Sequence, residues 1–208
     1  TPGAGNFLRG DNSWQEAGGG AWTQLARGDT SGGFVTDIDI TPADFDLTYN
    51  TSQGNASDYD LYKLYTTLET ENNAVDYAVR SRYAPSNTWA TSSYNHTVTG
   101  MMNAANYVHT KSLSQQNQSY WKPLGNQQSN NNPRSRAHQE FTMYRCRDEV
   151  NGDIINCITS FQQGVSAGEC GVFNASLYLF DQATNGIKLF ASSGNIKGAY
   201  TLYGVKGS

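Results

Sequence analysis

Short runs of alternating apolar and polar residues, separated by Gly and Asn, dominate this chain and leave little room for helix. In 34–40, Phe34, Ile38 and Ile40 fall on one face while Asp37 and Asp39 fall on the other, the two-residue period of a half-buried strand. The same pattern predicts strands over 22–26, 34–40, 59–68, 75–83, 139–146, 153–161, 172–180, 187–191 and 200–206. The near-continuous apolar run Leu177-Tyr178-Leu179-Phe180 suits a central strand. Gly reaches 21 of 208 residues and helix formers are scarce, so turns are frequent. Nine strands at short spacing predict an all-β fold, an antiparallel two-sheet β-sandwich that is jelly-roll-like and has no helix layer. A short helix is expected only at 101–109, weakened by Asn103 and Asn106. The amide-rich stretch 112–136, with Asn130-Asn131-Asn132-Pro133, is expected to be an exposed excursion.

Ahead of this body, residues 1–20 read as a short N-terminal neck and 21–208 as the head. In the neck, Phe7 and Leu8 run into a polar turn, Arg9-Gly10-Asp11-Asn12, and Trp14 follows. Gly10 permits positive φ and the Asp and Asn side chains can bond back to the backbone, so a fixed turn is expected. Three large apolar groups this isolated must pack against copies of themselves or against the body.

The block Asn6-Phe7-Leu8-Arg9-Gly10-Asp11-Asn12-Ser13-Trp14 closely resembles the junction of bacteriophage tail-fibre proteins, between a repetitive shaft and a C-terminal head. The end of the chain resembles the close of such heads, through Phe190-Ala191-Ser192-Ser193-Gly194-Asn195-Ile196 and then Leu202-Tyr203-Gly204-Val205-Lys206. Gly18-Gly19-Gly20-Ala21-Trp22-Thr23-Gln24-Leu25 resembles the first head strand, and Tyr59-Asp60-Leu61-Tyr62 with Val75-Asp76-Tyr77-Ala78-Val79-Arg80 the central ones. Residues 84–136 show little of the pattern. The resemblance implies a homotrimer at a fibre tip, with Phe7, Leu8 and Trp14 of three copies forming one apolar plug. It also implies attachment to other virion tail proteins through an N-terminal shaft, and assembly in the bacterial host cytoplasm.

Bulk properties fit that setting. Charged residues are only 15%, against roughly 25% in ordinary soluble domains, and Asn, Gln, Ser and Thr replace them. The net charge of −4 offers no basic face to nucleic acid. No long apolar run predicts membrane insertion. No basic-then-apolar leader follows Thr1, so no signal peptide is expected, and the missing initiating Met is expected of an excerpt or a processed product.

Asn151-Gly152 is the strongest two-residue hairpin signal, and it predicts Cys146 opposite Cys157 as a hydrogen-bonded pair. Their Cα atoms would then lie about 5.5 Å apart, within reach of a disulfide, although Cβ vectors diverge at such sites. The odd Cys170 argues against a disulfide framework, and cytoplasmic assembly favours free thiols.

Catalytic and cofactor signatures are weak, and neither an enzyme nor a cofactor is expected. His96, His109 and His138 lack the spacing of a metal pair, and no Gly-x-Ser-x-Gly elbow is present. Asp37/Asp39, Asp44/Asp46 and Asp58/Asp60 have the spacing to hold Ca²⁺ or serve a glycosidase, but solvated strand faces and turns are the plainer reading. Arg9-Gly10-Asp11 and Arg27-Gly28-Asp29 read as structural turns rather than integrin ligands. Sequons at Asn50, Asn55, Asn95, Asn117 and Asn174 are expected from composition and read as unmodified.

Trp89, Tyr94, Tyr107, Tyr120 and Trp121 sit among Ser, Asn and Gln, with Arg134 and Arg136 flanking the amide-rich stretch. Aromatic faces stack on sugar rings while amides and Arg orient hydrogen bonds, a mixture also found in antibody paratopes. These seven residues are therefore the candidate receptor-binding set, for a host-surface glycan or outer-membrane protein. The alternative for the whole chain is a structural virion protein, such as a capsid decoration or fibre cap, without receptor contact.

Overall fold

Period-two alternation becomes a buried and an exposed face on nearly every long strand. A computed structural model describes residues 6–8, 14–16, 22–45, 48–50, 54–56, 59–72, 75–83, 86–104, 107–124, 136–144, 153–163, 169–179 and 184–205. The first strands are β1 (Asn6–Leu8), β2 (Trp14–Glu16), β3 (Trp22–Asp29), β4 (Asp37–Ile40), β5 (Thr48–Asn50) and β6 (Gly54–Ala56). Then come β7 (Leu61–Thr70), β8 (Tyr77–Tyr83), β9 (Thr88–Trp89), β10 (Tyr94–Ala104) and β11 (Tyr107–Gln118). The last are β12 (Arg136–Tyr144), β13 (Asp153–Gln163), β14 (Glu169–Leu179), β15 (Thr184–Ala191) and β16 (Ile196–Val205). The protein is all-β, and its two main sheets are antiparallel.

An eight-stranded sheet runs β11-β10-β14-β13-β12-β7-β16-β3, and a four-stranded sheet runs β4-β15-β8-β9. The chain passes repeatedly from one sheet to the other, so their inner faces share one core. Leu64, Phe141, Ile155, Leu177 and Leu202 from the large sheet join Ile40, Val79, Ile187 and Leu189 from the small one in that cluster. Each such side chain contributes roughly 1.5–3 kcal/mol through apolar burial. The neck strands β1 and β2 form a two-stranded sheet with Leu8 opposite Trp14, so the backbone reverses across the expected turn, whose residues lie outside those described.

All nine expected strands are present, and the departures are local. The 101–109 segment is not a helix: it ends β10 and opens β11, a hairpin added to the sheet through β14. Backbone pairing along β14 overrides the helix preference of Met and Ala there. Gly100 lies opposite Phe173, and a Cβ at Gly100 would collide with that ring. Within the 112–136 stretch, 112–118 completes β11 and Trp121 bridges to Val79 through two 2.9 Å backbone hydrogen bonds, so that part is not an excursion, while 125–135 lie outside the described residues.

Register supplies the next correction. Phe141, not Cys146, faces Cys157, and Tyr144 faces Ile154. Phe141 and Cys157 are both fully buried, and placing buried residues opposite each other outweighs the local preference of one turn dipeptide. Cys146 lies outside the described residues. Cys157 is a free thiol whose acidity is suppressed by burial, despite a 3.4 Å contact with Thr159 Oγ1.

Two smaller expectations also change. Phe34 does not share the core with Ile38 and Ile40; it is exposed, with Lys197 Nζ 4.7 Å from its ring centre. Arg27-Gly28-Asp29 is a strand segment of β3 rather than a turn. Gly28 gives the Tyr200 ring its room there, because a Cβ would sit 2.6 Å from that ring.

Candidate functional site

The outer face of the eight-stranded sheet presents residues in rows across the strands. One row is Arg27, Thr201, Tyr65, Glu140 and Ile158, contributed in turn by β3, β16, β7, β12 and β13. A neighbouring row holds Ala199, Thr67, His138, Ser160 and Val172. Inner positions flanking them, such as Leu64, Leu68 and Leu202, anchor the backbone in the core. The outer positions are thereby held at fixed strand spacing.

Large and small side chains on this face make a groove of about 570 Å³. Tyr65, Tyr203 and Ile158 rise beside the smaller Thr67, Ser160, Ala199 and Thr201. At one end Trp22, Tyr65 and Tyr203 pack on one another, with ring centres 5.8–6.4 Å apart. Trp22 remains 50% exposed. No cation covers these three rings among the described residues.

The charges of the groove are mostly committed. Glu140, its one carboxylate among the described residues, is bonded to Lys63 Nζ. Burial, followed by the nearby Glu140 charge, raises the Tyr65 phenol above its usual pKa, so its hydroxyl stays protonated as a donor. His138 Nδ1 lies 3.0 Å from Thr67 Oγ1, which leaves Nε2 for another partner. The Arg27 side chain makes no ion pair or hydrogen bond among the described residues. A second depression of about 270 Å³ adjoins this groove, sharing Thr67 and Ala199 with it. There the buried Glu69 is held by Lys197 at 3.2 Å and Arg136 at 3.8 Å.

The seven candidates do not form one surface. Tyr94 and Trp121 are fully buried and belong to the core. The Tyr94 hydroxyl accepts the Ser81 backbone N–H at 2.7 Å, and Trp121 packs edge-on against Phe141 at 5.7 Å. They look like surface residues in sequence because their neighbours are polar, but the segment around Trp121 closes the sandwich against β8. Trp89 and Tyr120 are half-buried on the small-sheet side, each beneath a cation: Lys188 at 5.0 Å and Lys122 at 5.5 Å. Arg136 is exposed beside the second depression. Tyr107 opens β11, while its side chain and Arg134 lie outside the described residues, as do the side chains of Phe7, Leu8 and Trp14.

Lys188 also settles Asp37 and Asp39, which it bonds at 2.7 and 3.2 Å. Burial pushes the Lys188 ammonium toward neutrality, but its hydrogen bonds to the two carboxylates outweigh that and raise its pKa. The pair thus already shares an internal cation, the plainer arrangement for two strand-face carboxylates. No group of three or more His, Cys, Asp and Glu side chains with metal-binding geometry occurs among the described residues.

Sequence reasoning missed Trp22, Gln24, Arg27, Tyr65, His138 and Tyr203. A signal was present: in 59–68 and 200–206 the apolar phase set by Leu64, Leu68 and Leu202 leaves Tyr65 and Tyr203 on the opposite, outward phase. An aromatic in the polar phase of an amphipathic strand is the informative observation. Set against known protein families, curated proteins and solved structures, the chain matches none.

Proposed function

We propose that this chain is the head domain of a bacteriophage tail fibre, a homotrimeric module that attaches the virion to a host-surface glycan or outer-membrane protein. The observation that carries this reading is the Phe7-Leu8-Arg9-Gly10-Asp11-Asn12-Ser13-Trp14 block, with its fibre-junction resemblance, whose flanking strands pair Leu8 with Trp14. The open face of the large sheet adds support. It combines uncovered rings with hydroxyls and amides on a rigid sheet, as recognition of sugars or protein surfaces requires. Individual contacts on such a face are weak, and trimeric display on several fibres raises avidity through effective concentration. The neck connects to other tail proteins through the shaft, and the assembled protein resides in the virion. Binding alone suffices, without covalent chemistry.

Immunogold labelling of the parent particle with an antibody to the head tests this reading. A few copies at the fibre tips are expected. Labelling of every capsomer would instead make the chain a decoration protein. Sedimentation of the purified chain should give a trimer; a monomer at micromolar concentration that adheres to no host cell overturns the proposal. Release of oligosaccharides from host polysaccharide by the purified chain would replace binding with hydrolysis.

A further inference from the structure

The row from Arg27 to Ile158 crosses five adjacent strands. At about 4.8 Å per strand gap it spans roughly 19 Å, the length of a short oligomer. Its floor is the face of a sheet, and a ligand lying across it meets backbone groups of β16, β7, β12 and β13 that are already spent on neighbouring strands. A peptide adding itself as a strand needs an open sheet edge instead. What the groove offers is side-chain chemistry alone: ring faces, hydroxyls and amides, with one uncommitted positive charge at Arg27.

We propose that this groove binds an acidic oligosaccharide, a chain of sugar rings carrying carboxylates. Arg27 takes a sugar carboxylate through its planar, bidentate donor fork. The Tyr65 and Tyr203 rings stack on sugar faces, while Gln24 and His138 Nε2 are left to meet hydroxyls. Glu140 does not repel the ligand, because Lys63 already neutralises it. A nucleic acid is disfavoured: it carries a phosphate on every residue and requires several free cations, whereas this chain has a net charge of −4 and the groove one uncommitted guanidinium. The assignment rests on the attachment function for its biological setting, since a host envelope is where such a polymer is met.

The test is isothermal titration calorimetry of the purified full chain at low salt. The probes are short galacturonate and mannuronate oligomers, with neutral galactose and mannose oligomers of equal length. At least one uronate is expected to bind about 10-fold or more tightly than its neutral counterpart, the range of a charge-assisted hydrogen bond. Arg27→Gln should abolish that preference, bringing the uronate down to the affinity of its neutral counterpart. Arg27 is exposed on an edge strand, so this variant is expected to fold, which circular dichroism checks. Tyr65→Phe should retain ring stacking, whereas Tyr65→Ala should weaken both acidic and neutral binding. Binding by neither uronate, equal affinity for acidic and neutral oligomers, or an acidic preference that survives in Arg27→Gln overturns the proposal. Failure here leaves the particle labelling to decide attachment on its own, and failure of the labelling leaves the calorimetry to decide the groove.

Discussion

On the outside of the large sheet, Trp22, Tyr65 and Tyr203 pack on one another and leave half of Trp22 in solvent. On the small-sheet side, Trp89, Tyr120 and Phe190 instead each lie under a cation: Lys188, Lys122 and Arg80, at 5.0–5.5 Å. Those cations are themselves engaged, Lys188 by Asp37 and Asp39, Lys122 by Asp76, and Arg80 by the Ser119 carbonyl. One side of the sandwich presents its rings, and the other uses them in an internal network. An aromatic is available to a ligand only where part of its ring stays open to solvent, so counting rings among polar neighbours in a sequence does not locate a binding surface.

The comparison breaks most readily at Trp121, which a receptor-contact role and a core role predict differently. Trp121→Ala should destabilise the protein by about 3–5 kcal/mol, the cost of deleting a large buried aromatic, measured by denaturant unfolding. A stable variant with reduced adhesion would return Trp121 to the surface.

Buried His96 gives the next largest effect, through pH. Burial chiefly, with the Lys122 charge adding to it and the nearby Gln115 amide opposing, lowers its pKa to about 4. The unfolded chain binds the proton near the ordinary value of about 6.5. Between these values the unfolded state holds more protons, so stability rises with pH and is lost as pH falls from about 6.5 to about 4. The slope approaches ~1.4 kcal/mol per pH unit. Melting curves across this window should be flatter for His96→Asn than for the parent; equal slopes would show that His96 is not the group responsible.

Lys188→Met sharpens the contrast at smaller scale. It removes the cation over Trp89 and leaves Asp37 and Asp39 without their shared counter-charge. Both carboxylates are about a third exposed, so screening limits the loss to about 1 kcal/mol, diminishing further with salt. Trp22→Phe should change stability least, within ~0.5 kcal/mol. It should nevertheless remove a larger share of iodide-quenchable fluorescence than Trp121→Phe does.

Much of the fold was legible from alternation. The runs around Leu64, Phe141, Ile155 and Leu202 announced themselves as strands and put those residues in the core. The β10–β11 hairpin was not legible. Its inward residues include His96 beside Val98 and its outward ones include Met101 beside Thr97 and Thr99, so apolar and polar residues do not separate by phase and pairing with β14 is what makes it strand. Of the candidate surface, Trp89, Tyr120 and Arg136 do reach the outside, but two of these are on the far sheet from the groove. Tyr94 and Trp121 went inward because a polar neighbourhood in sequence says nothing about what packs on a residue from elsewhere.

The amino-acid order alone determined that this protein is built from strands, and largely which side chains share a strand face, because a two-residue period is a local property of extended backbone. Which of those faces is covered, that Phe141 meets Cys157, and that Arg27, Tyr65 and Tyr203 converge on one groove were decided only by tertiary structure. Register and sheet packing join residues far apart in the chain. Their outcome depends on total burial across both sheets, to which no single segment holds the information.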